Sequence, residues 1–419
     1  MSIAKLTVIA FFLLVVLSVR MIFFYGNLPI YREGQKIKFF AKLSEEPQLV
    51  SGRQQFRVKT PDGLGLSIVT GASPIFAYGD RISIEGKLRQ KYSRFVIYYP
   101  LVKKEESDKN IITQIAVLIR KRAKSLYEGT LPPVSASLLS GILFGGKQGM
   151  PDDFLRELRS VGVLHVIAAS GMNVSFVAGA LIFTLGSLFK RQLALVLGIF
   201  GVIFYALLAG FEPSILRASI MAILAFSASL LGRQNIALLS VFLTAYVMLF
   251  FNPLLLSDIG FQLSFLSTLG ILLIKPILPF GQSIILSDDI GTTIAAQIAT
   301  LPVMLIVFGE YGLLSILVNA LVLWTVPILM FLGSIALLVG LFFEPLGKLI
   351  LFFTLPFLLL FEKIVSFFGG FGLRLTVDSF PTAGIIGYYL LLLGFILFLK
   401  SNKKAMEITS SESRPREIK

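Results

Sequence analysis

His165-Val-Ile-Ala-Ala-Ser-Gly-Met-Asn-Val174 lies in strongly apolar sequence and holds the only histidine of the chain. A polar group at bilayer depth is costly, and its default reading is functional. Ser170-Gly171 is a small, flexible pair that suits a broken helix. Backbone exposed by such a break must be buried in protein or line a wet cavity. A satisfied core histidine beside a glycine at a helix crossing fits the same ten residues.

The surroundings decide the class. Mean hydropathy is +0.84 and 55% of residues are hydrophobic. Repeated long apolar stretches of this kind mean transmembrane helices rather than a soluble domain. The 38 phenylalanines suit lipid-facing surfaces as well as cores and carry no cofactor meaning. With no cysteine, disulfide, zinc-thiolate and thiol chemistry are excluded. Net charge is +14, and its location says more than its size. Residues 26–127 hold 19 Lys/Arg against 9 Asp/Glu, and residues 400–419 hold 6 against 3. A basic region suits nucleic acid or anionic lipid, and also a merely solvated surface beside an anionic membrane.

Residues 1–25 read as an N-terminal transmembrane anchor, because the bulky run Val19 to Tyr25 offers no small-residue cleavage site. Period-two alternation in 35–39, 56–59 and 81–86, with further strands over 64–69 and 95–102, predicts five short strands. Turn signals at Pro61-Asp-Gly63 and Tyr78-Gly-Asp80 separate them. Residues 26–110 are therefore expected to form a small Greek-key barrel, OB-like, outside the cytoplasm. Such barrels stack bases on aromatics within a basic groove, and others serve only as scaffolds. Lys87, Arg89, Lys91, Tyr92 and Arg94, with Tyr98 and Tyr99, are the expected DNA-binding face.

Residues 111–130 read as a basic amphipathic helix along the membrane surface. Residues 131–400 form the expected membrane domain. Ser135 to Gly146 is too short to span and suits a re-entrant helix. With the anchor, crossings near 163–188, 193–210, 214–231, 236–251, 257–275, 290–308, 312–343, 348–370 and 383–399 make ten. Pro327 is expected to break the overlong 312–343 segment. With the N-terminus inside, Lys190-Arg191, Arg233, Lys275 and Lys400 fall inside, as the positive-inside rule asks. Residues 401–419 are then a basic cytoplasmic tail. The expected fold class is thus a polytopic α-helical membrane protein of about ten transmembrane helices, with re-entrant or amphipathic helices and an inserted small β-barrel.

Four further polar islands interrupt the apolar runs. They are Glu212-Pro-Ser-Ile-Leu-Arg-Ala-Ser219, Asp258-Ile-Gly-Phe-Gln-Leu-Ser-Phe-Leu-Ser267 with Thr268-Leu-Gly270, Gln297-Ile-Ala-Thr-Leu-Pro302, and Phe308-Gly-Glu-Tyr-Gly312 followed by Asn319. Together with the first stretch, and in this order, they resemble the strings of the ComEC family of DNA-uptake competence proteins. The resemblance is close over about 132–330 and looser over 26–110. It implies a channel for single-stranded DNA in a bacterial plasma membrane. It also implies three partners besides the lipid bilayer: a cytosolic DNA-translocating ATPase, a membrane DNA receptor and a separate nuclease.

Two departures stand out. The family usually has a second histidine where this chain has Asn173. Many members also continue into a metallo-β-lactamase-like domain, and this chain has no histidine after His165 to supply its ligands, so a short form without that nuclease is expected.

The polar residues suit a wet path that touches phosphates without holding them. The candidate lining residues are His165, Ser170, Gly171, Asn173, Glu212, Arg217, Asp258, Gln262, Gln297, Glu310 and Asn319. A mid-membrane arginine needs a partner. Asp258 or Glu212 is expected to pair with Arg217, and direct phosphate contact is the alternative. Gly260, like Ser170-Gly171, suits a broken helix. His165 with Ser170 and an acid imitates a hydrolase triad only in composition, and no G-x-S-x-G elbow or P-loop is present. No enzyme activity, catalytic residue, metal or cofactor is expected. A secondary transporter of an anionic solute is the alternative function, although no clear internal repeat supports it.

Overall fold

The computed structural model describes residues 3–29, 31–43, 47–50, 52–91, 94–105, 111–147, 149–167, 170–278, 285–376 and 382–412. Helix α1, Ile3–Gly26, leads into eight short strands. These are β1 Lys36–Lys42, β2 Gln48–Val50, β3 Arg53–Lys59, β4 Gly65–Thr70, β5 Arg81–Lys87, β6 Arg89–Lys91, β7 Arg94–Tyr98 and β8 Leu101–Lys104. They form two open sheets, ordered β1-β5-β8 and β2-β3-β4-β7-β6. Buried and exposed residues alternate strictly in β3 and less so in β4 and β5, and Phe39, Phe56, Ile68, Ile84 and Ile97 meet in one buried core.

The five-strand closed barrel expected from the sequence is therefore corrected. Among the described residues no ladder joins the two sheets. One expected strand, 95–102, divides at Tyr99-Pro100. Tyr99 takes φ 50, and Pro100 has no N–H for a ladder. The chain crosses there from β7, parallel to β4, to β8, antiparallel to β5.

The helices follow: α2 Ile111–Glu128, α3 Pro133–Phe144, α4 Asp152–Ser160, α5 Gly171–Leu188, α6 Arg191–Leu208, α7 Pro213–Leu230 and α8 Ala237–Phe251. After α9, Ile259–Leu273, and α10, Ile285–Phe308, strand β9 at Glu310–Gly312 precedes α11, Ser315–Val322, and α12, Thr325–Phe342. Helix α13, Glu344–Gly369, strand β10, Arg374–Thr376, and α14, Thr382–Glu412, complete the order.

Among the described residues, seven helices are long and apolar enough to cross a membrane: α5, α6, α7, α9, α10, α12 and α13. The other three expected crossings fall on shorter apolar stretches, Phe11–Gly26, Ala237–Phe251 and Gly384–Leu399. This is a helical membrane protein. Its largest core is built by α2, α3, α4, α11, α12 and α13 around Tyr127, Leu139, Leu329 and Phe361.

Two prolines show how the bundle treats backbone. The 312–343 segment does break, but between Val322 and Thr325 rather than at Pro327. Pro327 then sits in the first turn of α12, where its missing N–H costs nothing. Pro302, inside α10, has no N–H for the Ile298 carbonyl one turn back. The Tyr388 hydroxyl of α14 donates to that carbonyl at 2.8 Å, and Tyr389 donates to Ala299 at 3.0 Å. A freed carbonyl in lipid must find such a neighbour. Gly270 matters for a different reason. A Cβ there would lie 2.6 Å from the Ala299 Cβ, so glycine sets the α9–α10 approach.

Tyr388→Phe should lower unfolding stability in detergent by about 1–3 kcal/mol, the usual cost of an orphaned buried acceptor. In a Pro302→Ala background, where the helical bond can form, the same substitution should cost little. Equal costs in both backgrounds would refute this account.

Candidate functional site

Helix α3 is only twelve residues long, and nine of them are buried. It ends inside the bundle at Gly145, leaving its last carbonyls without helical partners. Three side chains from three other helices supply donors. Asn173 Nδ2 of α5 donates to Ile142 at 2.6 Å, Tyr205 of α6 to Leu143 at 3.0 Å, and Arg120 Nη2 of α2 to Phe144 at 3.4 Å. The Arg120 charge also complements the negative end of the α3 dipole. Its guanidinium lies 4.0 Å over the Tyr78 ring, and the Tyr78 hydroxyl donates to Leu207 of α6 at 2.8 Å. One arginine thus ties the β-domain to the end of the short helix.

Asn173, fully buried, also accepts a hydrogen bond from Ser170 Oγ at 3.0 Å. Ser170 is the N-cap residue of α5 but makes no side-chain cap, so the first turn begins bare at Gly171. The expected broken helix is thus a helix start, preceded by a short 3-10 turn at Leu164–Val166. His165, in that turn, places Nδ1 3.1 Å from the Gly162 carbonyl and is exposed. Gly162, at φ +72, closes α4 with Val163 N–H on Leu158 and its own N–H on Arg159.

Arg217 of α7 lies against the α5 start. A Cβ at Gly171 would stand 2.5 Å from Arg217 Nη2, so glycine makes room for the guanidinium. Arg217 is 9% exposed, donates through Nη1 to Thr268 Oγ1 of α9, and leaves Nε buried without a hydrogen-bond partner. The expected pair with Asp258 is not formed. Asp258 caps α9 instead, accepting from the Phe261 N–H at 3.0 Å. Glu212 stands at the N-cap of α7, before Pro213. Gly260 likewise lies in the first turn of α9, not at a break.

The remaining candidates divide into two groups. Tyr311 donates to Gln297 Oε1 at 2.5 Å, and Gln297 Nε2 donates to Ser315 at 3.1 Å, joining α10, β9 and α11. Asn319, one turn after Ser315, is buried with Oδ1 unpartnered. By contrast, Gln262 turns to the Leu256 carbonyl, and Glu310 pairs with Arg374 across β9–β10 at 2.9 Å. His165, Asp258 and Glu310 therefore do not converge. Arg120, Tyr78, Tyr205 and Tyr311 were not singled out by sequence, because nothing local marks which hydroxyl or guanidinium meets a distant carbonyl.

The expected DNA face on the β-domain is split. Lys87 ends β5 in the three-stranded sheet, opposite Lys36. Positions 89, 91 and 94 belong to β6 and β7 of the other sheet, where Arg89 and Tyr98 are exposed. Tyr92 lies outside the described residues. In the three-stranded sheet, the Lys36 ammonium 2.6 Å from Glu85, with Lys38 and Lys103 nearby, holds the Glu85 carboxyl below the usual range.

A basic β-domain latched to a bundle of long apolar helices, with a buried arginine that pairs with no acid among the described residues, defines the class: a polytopic helical membrane protein. The family model described as Competence protein matches residues 142–402. The chain belongs to this family, as the ComEC-like motifs imply. It is 29% identical over 209 residues to ComE operon protein 3 of Bacillus subtilis (strain 168), covering 48% of this chain and 26% of that protein. It is 30% identical over 199 residues to a protein of Aquifex aeolicus (strain VF5) described as uncharacterized, covering 47% of this chain and 46% of the relative. The matches thus span about a quarter and just under half of these relatives. No solved structure matches the chain.

Asn173→Leu and Tyr205→Phe should each destabilise the detergent-solubilised protein by about 1–3 kcal/mol, because each orphans a carbonyl at the end of α3. Ser175→Ala, which removes only a bond from an exposed hydroxyl to the Gly171 carbonyl one turn back, should leave the melting temperature nearly unchanged.

Proposed function

We propose that this chain is a membrane channel that admits single-stranded DNA to the cytoplasm during natural transformation. The observation that carries the reading is Arg217. A guanidinium nine-tenths buried, with no carboxylate partner, stands at the uncapped N-terminus of α5. Both the helix end and the cation favour an anion. Buried charge without a paired acid is costly, so it is kept where it serves a passing charge. Membership of the competence family supports DNA as that cargo.

In this reading the bundle contributes ten crossings, with both termini cytoplasmic and the β-domain outside. Arg217, Asn319 and the Gln297–Tyr311–Ser315 group offer hydrogen bonds along the path. Chemistry on the strand is no part of the role. A cytosolic ATPase supplies the pull, a membrane receptor delivers DNA, and a separate nuclease removes the second strand. Helix α2 lies in the outer interface, its exposed Ile111, Ile112, Ile115 and Leu118 toward lipid.

Arg217→Met should leave membrane abundance unchanged or higher, since replacing an unpaired buried charge by an apolar chain is neutral or stabilising. Transformation by marked DNA should fall about ten- to hundredfold, the worth of a charged hydrogen bond. Adding Asp258→Asn should bring no rescue. Normal transformation with impaired uptake of a small anion would instead favour a secondary transporter.

For topology, an externally active reporter fused after Pro100 should be active, and one at the C-terminus silent. The reverse pattern would invert the assignment.

A further inference from the structure

From Gly63 to Gly79 the β-domain carries no charged side chain, although the sequence around this run is dense in lysine and arginine. The run starts and ends on the helical bundle. Gly63 lies so close to Leu254, just past α8, that no Cβ would fit there. The Tyr78 hydroxyl donates to the Leu207 carbonyl in the last turn of α6 at 2.8 Å, and a Cβ at Gly79 would lie 2.7 Å from Val117 of α2. Helix α6 is long and apolar enough to cross a membrane, so Tyr78 stands at the end of a crossing. Between these contacts β4 runs through the core, and the chain then emerges as the loop Gly71-Ala-Ser-Pro-Ile-Phe-Ala77. Ala72, Ser73, Pro74, Ile75 and Ala77 are exposed, Ile75 by 77%, while Phe76 is buried in the core of the domain.

The backbone of this loop is satisfied from inside. Gln54 of β3 is buried, and its Nε2 donates to the carbonyls of Gly71, Ala72 and Pro74 at 2.9, 3.2 and 2.8 Å. Its Oε1 accepts the Phe76 N–H at 3.0 Å. Pro74 has no N–H to satisfy. One buried side chain thus takes up four backbone groups of a surface loop. Water would meet them without such a device, whereas a loop that touches lipid must have them met by protein.

We propose that the loop 71–77 is a foot set into the bilayer interface, with Ile75 at its tip among the lipid chains. Its occupant is the phospholipid leaflet beside α6 and α2. Position argues for lipid rather than a protein in water, because the loop adjoins the end of a crossing helix, where the leaflet is the first medium it meets. Helix α2 supplies a second apolar surface next to it: Ile111, Ile112, Ile115 and Leu118 are exposed, and Leu118 follows the Val117 that touches Gly79. Apolar, charge-free segments of this kind bury in the boundary between headgroups and chains. The foot holds the β-domain to the membrane beside its contacts at Tyr78 and Gly63. The proposal needs only the membrane class. It is independent of what the bundle carries and of which side the β-domain faces.

The chain has one tryptophan, Trp324, edge-on to Phe357 in the helical bundle. Ile75→Trp in a Trp324→Phe background therefore gives a probe that reads the loop alone, at a position where the side chain is exposed. The full chain is placed in phosphatidylcholine nanodiscs with plain or brominated acyl chains. The Ile75→Trp emission should be blue-shifted, should fall when the chains carry bromine, and should be shielded from acrylamide in the water. An indole seeks the interface wherever it can reach it, so a second position must separate reach from preference. Phe40→Trp in the same background does so, since Phe40 is 65% exposed and stands between Lys38 and Lys42 along β1. There acrylamide should quench and bromine should not. Equal acrylamide quenching at both positions, with no bromine effect at position 75, overturns the proposal. Bromine quenching at both positions also overturns it, because the probe rather than the loop then chooses lipid. Emission at position 75 that neither quencher reaches overturns it too and makes the loop a protein contact.

Discussion

A helix that stops inside a bundle has carbonyls without helical partners, and this protein is organised around satisfying them. Short α3 ends at Phe144, and the acceptors on Ile142, Leu143 and Phe144 take donors from α5, α6 and α2. Those bonds fix the helices in register more strictly than apolar packing can, because lipid and side chains are alike to a hydrophobic surface. Pro302 poses the same problem in α10, and Tyr388 answers it from α14. In both places an unmet backbone group selects a partner far away in the chain.

The same constraint links the β-domain to the bundle. Arg120 bonds the end of α3 and stacks on Tyr78, whose hydroxyl bonds α6. Gly79, beside Tyr78, would bring a Cβ within 2.7 Å of Val117 of α2. Movement of the β-domain on its tether therefore strains the α3 terminus directly. Arg217 stands apart from this pattern of satisfied groups. Its Nε has no acceptor, and the nearest helix end is itself positive. Arg120 also keeps a buried Nη1 without a hydrogen-bond partner, but it lies against the carbonyl end of a helix, whereas Arg217 lies against a helix start, where an anion is favoured.

Much of this was legible in the chain. Apolar length gave the helical membrane class, and period-two alternation gave the strands. The short apolar run at 135–146 gave a helix that cannot span. Some motif positions make contacts between elements: Asn173, Arg217 and Gln297 hydrogen-bond to other helices, and Pro302 leaves a carbonyl of its own helix free. Their partners were not legible. Asp258 looked like the acid for Arg217 and is a helix cap. Glu310 looked like a site residue and binds Arg374 in a two-stranded ribbon. Five strands were expected to close a barrel, and eight short ones form two open sheets.

The sequence by itself determined the helical membrane class and where most helices and several strands lie, because these follow from apolar length and periodicity, but it misplaced the breaks at Pro327, Ser170-Gly171 and Gly260. It also determined that certain polar groups must be buried, since the apolar runs around them leave no other place. Only the tertiary structure decided which donor meets which carbonyl, which lysines share a sheet face and which arginine is left without an acid. Those pairings join residues tens to hundreds of positions apart, and several hydroxyls and cations of equal chemistry compete for each acceptor. Local pattern sets the demand for a partner, and the packing of helices and sheets chooses it.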